Sequence, residues 1–206
     1  MLDLFLSAFI TLFVVIDPPG CAPIYAGLTA GASRAQARTM ALRACVIATA
    51  ILLVFALVGE KLLGALHIEL DAFRIAGGIM VFLIALDMVF EKRTQRREER
   101  AEKIRETPEI EDVSVFPMAM PMIAGPGSIA TIMLLMGRAH GTEATLAILA
   151  ALAAVMVLTL LSLFAAGPLL KLLGARVEAV ITRLLGVLLA ALAAQYVIDG
   201  IKGVLG

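Results

Sequence analysis

The fold of this chain is decided by one short stretch, Ile16-Asp17-Pro18-Pro19-Gly20-Cys21-Ala22-Pro23. It lies inside an apolar run, residues 4–33, in which Asp17 is the only formal charge. The run is too hydrophobic for an exposed loop, yet its prolines interrupt a helix. Lipid cannot satisfy the N–H and C=O groups that an interruption frees, so non-helical backbone at membrane depth occurs where protein buries it or where it lines a cavity. The stretch therefore predicts one membrane helix in two halves, with a binding site at the break.

Composition places the whole chain in a lipid bilayer. Of its 206 residues 61% are hydrophobic and 17% are charged, and the mean hydropathy is +1.00, values unlike those of soluble domains. We expect a single membrane domain over residues 1–206, with no signal peptide and no nucleic acid partner. Cys21 and Cys45 have no CxxC spacing, so they predict free thiols, and neither a metal site nor a cofactor is expected.

Six apolar windows are each long enough to cross the hydrocarbon core. They cover about residues 4–29, 41–57, 73–90, 113–137, 145–163 and 179–198. The fourth window carries no charge but contains Pro117, Pro121 and the run Gly125-Pro126-Gly127-Ser128. The expected fold class is therefore an all-α integral membrane protein of six transmembrane helices, with helices 1 and 4 broken near the midplane.

A charged connector, residues 91–112, separates the half 1–90 from the half 113–206. It holds seven Lys/Arg and eight Asp/Glu, and its i,i+4 pairs Glu98/Glu102 and Glu99/Lys103 suit a polar helix. The main interpretation is a linking segment, and the alternative is a regulatory or partner surface. Of the 17 Lys/Arg, 13 follow the first, third and fifth windows. This asymmetry predicts a cytoplasmic connector and both termini outside.

The two halves resemble each other at three places. Asp17-Pro18-Pro19-Gly20 matches Ala124-Gly125-Pro126-Gly127 at an offset of 107 residues. Leu62-Leu63-Gly64 matches Leu172-Leu173-Gly174 at an offset of 110, and Arg74-x-x-Gly77 matches Arg183-x-x-Gly186 at 109. Because each half has three spans, the second half enters the membrane from the opposite side, so the repeats are inverted. Interrupted spans at equivalent positions of inverted repeats indicate a transporter site.

The same motifs carry a family resemblance. Asp17-Pro-Pro-Gly-x-x-Pro23 and Pro117-x-x-x-Pro121-x-x-Ala124-Gly-Pro-Gly-Ser128 resemble the paired signatures of the MarC family, also described as the six-span neutral amino acid transporter family. The resemblance covers essentially the whole chain. It implies a multi-pass inverted-repeat protein of the bacterial inner or archaeal membrane, in a family of which some members move small neutral amino acids.

The candidate site residues follow from the two breaks. Asp17 is predicted to bind a substrate ammonium or to cycle an ion, or else to cap the second half-helix. Thr131 offers a hydroxyl on the face of Ser128, or bonds its own backbone, and Asp87 either couples an ion or reaches the interface. The run in the fourth window is either part of the site or a structural kink. The predicted substrate-binding residues are Asp17, Pro18, Gly20, Cys21, Gly125, Pro126, Gly127, Ser128 and Thr131, and the predicted ion-coupling residues are Asp17 and Asp87.

The expected function is secondary transport of a small zwitterionic amino acid, glycine or alanine first, by alternating access coupled to H⁺ or Na⁺. An anionic substrate would call for an intramembrane Arg or Lys, and a cationic one for more than a single central acid. Half-helix N–H groups suit a substrate carboxylate. An exporter or channel for another small metabolite is the alternative. An enzyme is not expected, because HExxH and GxSxG motifs are absent from the sequence. Oligomeric state and transport direction stay open.

Overall fold

The computed structural model describes the backbone of residues 1–90 and 112–205, and the side chains of these residues except 167–179 and 181. Nearly all of the predicted connector, including its i,i+4 pairs, lies outside the described residues. The side chains of the repeat match at 172–174 also lie outside the described residues.

The described chain is built from helices. They are α1 (Leu2–Ile16), α2 (Pro18–Leu28), α3 (Arg34–Ala65), α4 (Leu70–Val89), α5 (Ser114–Ile123), α6 (Pro126–Met136), α7 (Thr142–Phe164) and α8 (Ala166–Leu205). No strand occurs within the described ranges. Five candidate membrane spans meet the length and composition expected of a transmembrane helix, and there are six if α5 and α6, bent by 52° at their junction, form one span. The predicted all-α membrane architecture is confirmed, and each apolar window falls within these helices.

Two helices are longer than the apolar windows indicated. α3 begins at Arg34 because Ser33 and Gln36 form a capping box, in which the Gln36 N–H donates to Ser33 Oγ at 3.3 Å and the Ser33 N–H donates to Gln36 Oε1 at 3.0 Å. The basic residues assigned to a loop thus lie in the first turns of α3. α8 runs through Pro168 without a break, since the first turn of a helix tolerates proline.

The broken first span lies at the centre of the molecule. Of the 18-residue window that represents the Leu2–Leu28 span, 56% is buried, against 28–39% for the other four candidates. Behind it, α4 and α8 pack closely through glycines. A Cβ on Gly78 would lie 2.8 Å from Val197 Cγ2, and a Cβ on Gly186 would lie 3.0 Å from Met88 Cβ. The main cluster of buried residues is formed by α1, α2, α3, α5, α6 and α7, and it includes residues next to both breaks.

Candidate functional site

The first break consists of a single residue, Asp17. α1 ends at Ile16 and α2 begins at Pro18, and Asp17 between them adopts the left-handed conformation, with φ 59° and ψ 64°. Aspartate is among the few residues with a side chain that tolerate this conformation. The side chain is 6% exposed, and Oδ1 accepts the Gly20 N–H at 3.2 Å. Asp17 therefore ends one helix and caps the next.

The first turn of α2 has no N–H group left for a ligand. Pro18 and Pro19 lack this donor, the Gly20 N–H is bonded to the Asp17 carboxylate, and the Cys21 N–H donates to the Asp17 carbonyl at 3.0 Å. Glycine is needed at position 20, because a Cβ there would lie 2.3 Å from Asp17 Oδ2. The capping role considered for Asp17 is thus observed, and the positive end of α2 is already occupied by the chain's own carboxylate.

The second break is built differently. α5 ends at Ile123 and α6 begins at Pro126, with Gly125 as the N-terminal cap residue, which has no side chain to bond the first turn. A Cβ on Gly125 would lie 2.3 Å from the Pro121 carbonyl oxygen, so a residue with a side-chain cap cannot stand there. Because Pro126 has no N–H, the donors at this end are those of Gly127 and Ser128. Gly125, the cap residue, has no side chain to bond them.

The two breaks lie against each other. A Cβ on Gly127 would lie 2.0 Å from Ile84 Cδ1 and 3.7 Å from Val15 Cγ1, so the last turn of α1 and the middle of α4 both contact the first turn of α6. Asp87 is half-buried and follows Ile84 by about one turn of α4. The structure therefore brings Gly127 against the last turn of α1, which ends next to Asp17, while Asp87 lies about a turn beyond Ile84 toward the end of α4.

Thr131 differs from the other buried threonines near the core. Its side chain is 0% exposed, and Oγ1 has no hydrogen-bond partner. The expectation that this hydroxyl bonds its own helix is wrong, whereas Thr159 Oγ1 does donate to the Val155 carbonyl at 2.8 Å. A buried hydroxyl without a partner costs free energy. Such a group in a native structure calls for an explanation, and a bound ligand is one.

The remaining site residues are mostly buried. Eight of the nine predicted substrate-binding residues are buried, and Pro126 is exposed. The Cys21 thiol lies 3.5 Å from the Ile16 carbonyl oxygen and donates to it, so it satisfies an acceptor at the end of α1. Cys21 and Cys45 are both buried free thiols, as predicted. Arg74, from the repeat match in the first half, pairs with Asp71 at 2.6 Å.

Sequence reasoning missed two ion pairs. Arg43 on α3 pairs with Asp112, which precedes α5, and Arg138, which follows α6, pairs with Asp199 on α8 and lies 4.4 Å above the Tyr196 ring. The partners are 69 and 61 residues apart in the chain, so no local spacing indicates either pair. Hydrogen bonding from Ser114, whose N–H lies 2.9 Å from Asp112 Oδ1, and the Arg43 charge hold the pKa of Asp112 below its usual value.

Comparison with known proteins gives consistent family matches. The model of the MarC family integral membrane proteins matches residues 2–205. The UPF0056 membrane protein MJ1677 of Methanocaldococcus jannaschii is 35% identical, over 99% of this chain and 98% of that protein. The UPF0056 membrane protein YvbG of Bacillus subtilis is 34% identical, over 98% of this chain and 96% of its own length.

A third relative comes from a second bacterium. The UPF0056 membrane protein YhcE of Escherichia coli is 34% identical, over 95% of this chain and 91% of that protein. No solved structure matches the chain. The match over nearly the whole length, together with the two proline-glycine signatures, shows that the chain belongs to the MarC family of integral membrane proteins.

Proposed function

We propose that this protein is a secondary transporter of small neutral amino acids, with glycine or alanine as the first substrates to test. One observation carries the proposal: two adjoining helix breaks offer opposite chemistry. The first break presents a carboxylate, Asp17, and the second presents an uncapped helix N-terminus at Gly127 and Ser128. A zwitterion needs one anionic and one electropositive partner close together. Val15, two residues before Asp17, contacts the first turn of α6, and this contact supports the pairing of the two breaks in one site.

The carboxylate of the substrate is assigned to α6. Helix N-termini bind anions through free N–H groups and the positive end of the helix dipole. At α2 the chain's own Asp17 fills this role, whereas at α6 no side chain does. Thr131 lies one turn further along α6 on the face of Ser128, and helical side chains lean toward the N-terminus. Its unpartnered hydroxyl is therefore placed to add a hydrogen bond to the substrate carboxylate.

The ammonium group of the substrate is assigned to the first break. Asp17 already accepts the Gly20 N–H through Oδ1, and a carboxylate has capacity for further donors. An acid inside the membrane is a functional candidate by default. Coupling to H⁺ or Na⁺ is proposed through Asp17, with Asp87 as a second acid about one turn beyond Ile84 on α4.

The boundaries of the helices support an inverted repeat, an architecture found in many alternating-access transporters. α2 begins at Pro18 and α6 begins at Pro126, 108 residues later, and both helices are 11 residues long. α3 begins at Arg34 and α7 begins at Thr142, again 108 residues later. These two pairs of helix starts thus share one offset, whereas matching letters suggested offsets of 107 to 110.

Contacts between helices support the same relation. Gly78 on α4 lies against Ala193, Tyr196 and Val197 of α8, and Gly186 on α8 lies against Ala85, Met88 and Val89 of α4. The equivalent positions in the two halves are again 108 residues apart, namely Gly78 and Gly186, Ala85 and Ala193, Met88 and Tyr196, and Val89 and Val197. Likewise α2 packs against α7 and α8, while α6 packs against α3 and α4. Partners exchanged in this way are the pattern that a two-fold axis between the halves produces.

The proposed location is the cell (inner) membrane, with both termini outside and the connector in the cytoplasm. Arg43 and Asp112 pair with each other, so the basic end of α3 and the start of α5 lie at one membrane face, which we call the connector face. The excess of Lys/Arg at this face assigns it to the cytoplasm. Labelling of a Gln95→Cys variant from the periplasmic side of intact cells would contradict this orientation.

The decisive experiment is counterflow in proteoliposomes. Liposomes that contain the purified protein are loaded with unlabelled glycine or alanine. Uptake of the labelled amino acid is then followed with and without proton and sodium gradients. A sugar and a dicarboxylate serve as control substrates, and we expect uptake of the amino acids alone. Uptake that does not depend on the amino acid inside the liposomes would indicate a channel. If folded protein moves neither amino acid above empty liposomes, or prefers the dicarboxylate, the substrate assignment is wrong.

A further inference from the structure

A cavity opens at the connector face, away from the two breaks. Its volume is about 720 Å³, and it lies between the end of α2, the first turns of α3 and the residues that precede α5. Among the residues that line it are Leu28, Gln36, Met40, Arg43 and Asp112. Cavities of about 300–1,000 Å³ are typical of sites for small molecules. The cavity is therefore large enough to admit a molecule of the size proposed for the substrate.

The cavity is linked to the breaks by two half-helices. α2 runs from the break at Asp17 to Leu28 on the cavity wall, and its 11 residues span about 16 Å. α5 runs from Ser114, two residues after the cavity residue Asp112, to Ile123, two residues before Gly125. Both half-helices thus have one end at the cavity and the other at the candidate site.

The ion pair in the cavity wall joins α3 to the start of α5. The Arg43 guanidinium donates to Asp112 Oδ2, and the Ser114 N–H ties the other oxygen of Asp112 to the first residue of α5. The two charged side chains are 54% and 40% exposed. Exposed ion pairs contribute little to stability, because water and salt screen them. This pair can therefore open and close at small cost.

The second ion pair, between Arg138 and Asp199, lies just after the C-terminal end of α6 and has further partners. Arg138 and Asp199 are 33% and 31% exposed, and the guanidinium also lies over the ring of Tyr196, which is 1% exposed. Gln195 donates a further hydrogen bond to Asp199 at 2.6 Å. More contacts hold these side chains together than hold Arg43 and Asp112, so the Arg138–Asp199 pair is the more firmly held of the two.

The backbone of α5 is irregular, because Phe116 and Met120 each precede a proline, and the residue before a proline is disfavoured in the helical region. Phe116 and Met120 have non-helical φ/ψ values inside α5, and the Ala124 N–H bonds the Ala119 carbonyl in a wide turn. Irregular turns of this type are associated with helix bending and with functional sites. A shift of the α5 start relative to α3 would be absorbed at these residues and would leave the regular helix α6 intact.

We propose that this cavity is the mouth of the substrate pathway at the connector face, and that the Arg43–Asp112 ion pair is its gate, which holds the start of α5 against α3. The proposal rests on the function proposed above, because the pathway leads to the two breaks. Substrate passage requires the pair to open, and the pair closes again by attraction between its two charges.

The first test locks the gate. In an Arg43→Cys/Asp112→Cys variant, a short bifunctional thiol reagent links α3 to the start of α5. We expect glycine counterflow to fall at least tenfold and to return on reduction. The matched control is Arg43→Cys/Ile47→Cys, in which the link joins two turns of α3 and constrains nothing else. The parent protein, whose two cysteines are buried, gives the background. A link that forms in full without slowing counterflow overturns the gate.

The second test does not depend on the substrate. Met40 lines the cavity and is 8% exposed, so the labelling rate of a Met40→Cys variant by a bulky thiol reagent in detergent reports how open the mouth is. Removing the gate with Asp112→Ala should raise this rate severalfold, while Asp199→Ala should not. Equal rates overturn the proposal. A raised rate in a protein that carries no amino acid supports the mouth and its gate, and overturns only the proposed function.

Discussion

The break in span one is filled by its own side chain, whereas the break in span four is not. At the first, Asp17 turns the chain in the left-handed conformation and caps α2 through the Gly20 N–H. At the second, Gly125 turns the chain without a side chain, because the Pro121 carbonyl occupies the space that a Cβ would need. Both breaks start an 11-residue helix with proline.

This difference shows that two helix breaks in one chain can present groups of opposite charge. A helix N-terminus attracts a negative charge. In the first half the chain supplies that charge, and in the second half a ligand can supply it. The asymmetry between Asp17 and Gly125 is the basis of the proposed site with two different ends. Substitutions at three positions test this comparison and a fourth position, Asp112, tests the start of α5, in order of decreasing expected effect.

The largest effect is expected for Gly125→Ala. Its Cβ would lie 2.3 Å from a backbone carbonyl oxygen, which cannot rotate away as a side chain can, so we expect a loss of about 2 kcal/mol or more of unfolding free energy. Denaturation in detergent, followed by circular dichroism, measures it. Gly27→Ala in α2 is the matched control, because open space surrounds that position. Equal stability of the two variants would show that the second break does not depend on glycine.

Substitutions at Asp17 separate the cap from the charge. Asn tolerates the left-handed conformation and caps as well as Asp, so Asp17→Asn should fold with nearly unchanged stability. Asp17→Ala loses the cap and should lose about 1 kcal/mol or somewhat more. Both variants should lose amino acid counterflow or its dependence on the ion gradient. If Asp17→Asn transports normally with unchanged pH dependence, Asp17 is a cap alone and the comparison of the breaks has no functional meaning.

Thr131→Val tests the helix that follows the second break, through the hydroxyl group of Thr131. The hydroxyl has no partner in the structure, so its removal should leave stability unchanged or raise it, while the substrate affinity falls by up to about tenfold through the loss of one hydrogen bond. Thr159→Val is the control, since that hydroxyl is equally buried but bonded to the Val155 carbonyl. It should lose about 1 kcal/mol of stability and no affinity. If Thr131→Val loses stability and Thr159→Val loses substrate affinity, Thr131 does not belong to the site.

The smallest effect is expected for Asp112→Asn at the start of α5. Ser114 and Arg43 lower the pKa of Asp112 from 3.8 in the folded protein, so its contribution to stability is present above pH 4 and is lost as pH falls through the lowered value. Because the side chain is 40% exposed, we expect less than about 1 kcal/mol. Unfolding measured between pH 7 and pH 3 should show a weaker acid slope in the variant. An unchanged slope would mean that Asp112 is not held in its charged form by these contacts.

The breaks themselves were predictable from the sequence because their causes are local. Proline removes a donor and blocks the preceding turn whatever surrounds it, and aspartate tolerates the left-handed conformation that the first break adopts. The apolar windows likewise located the helices, although α3 extends beyond its window through the Ser33/Gln36 capping box. The register of the repeat was predicted less well, because matching letters align Pro19 with Pro126, whereas the helix starts align Pro18 with Pro126.

The sequence by itself determined an all-helical membrane protein of the MarC family, with one span broken at Asp17 and another at Gly125. Only the tertiary structure decided that Val15 and Ile84 lie against Gly127, that Thr131 keeps an unpartnered hydroxyl, and that Arg43 meets Asp112 across 69 residues. The physical reason is the range of the interactions. Proline geometry, capping and hydrophobic length act within a few residues. Contacts between helices depend on how every side chain in the interior fills the remaining space.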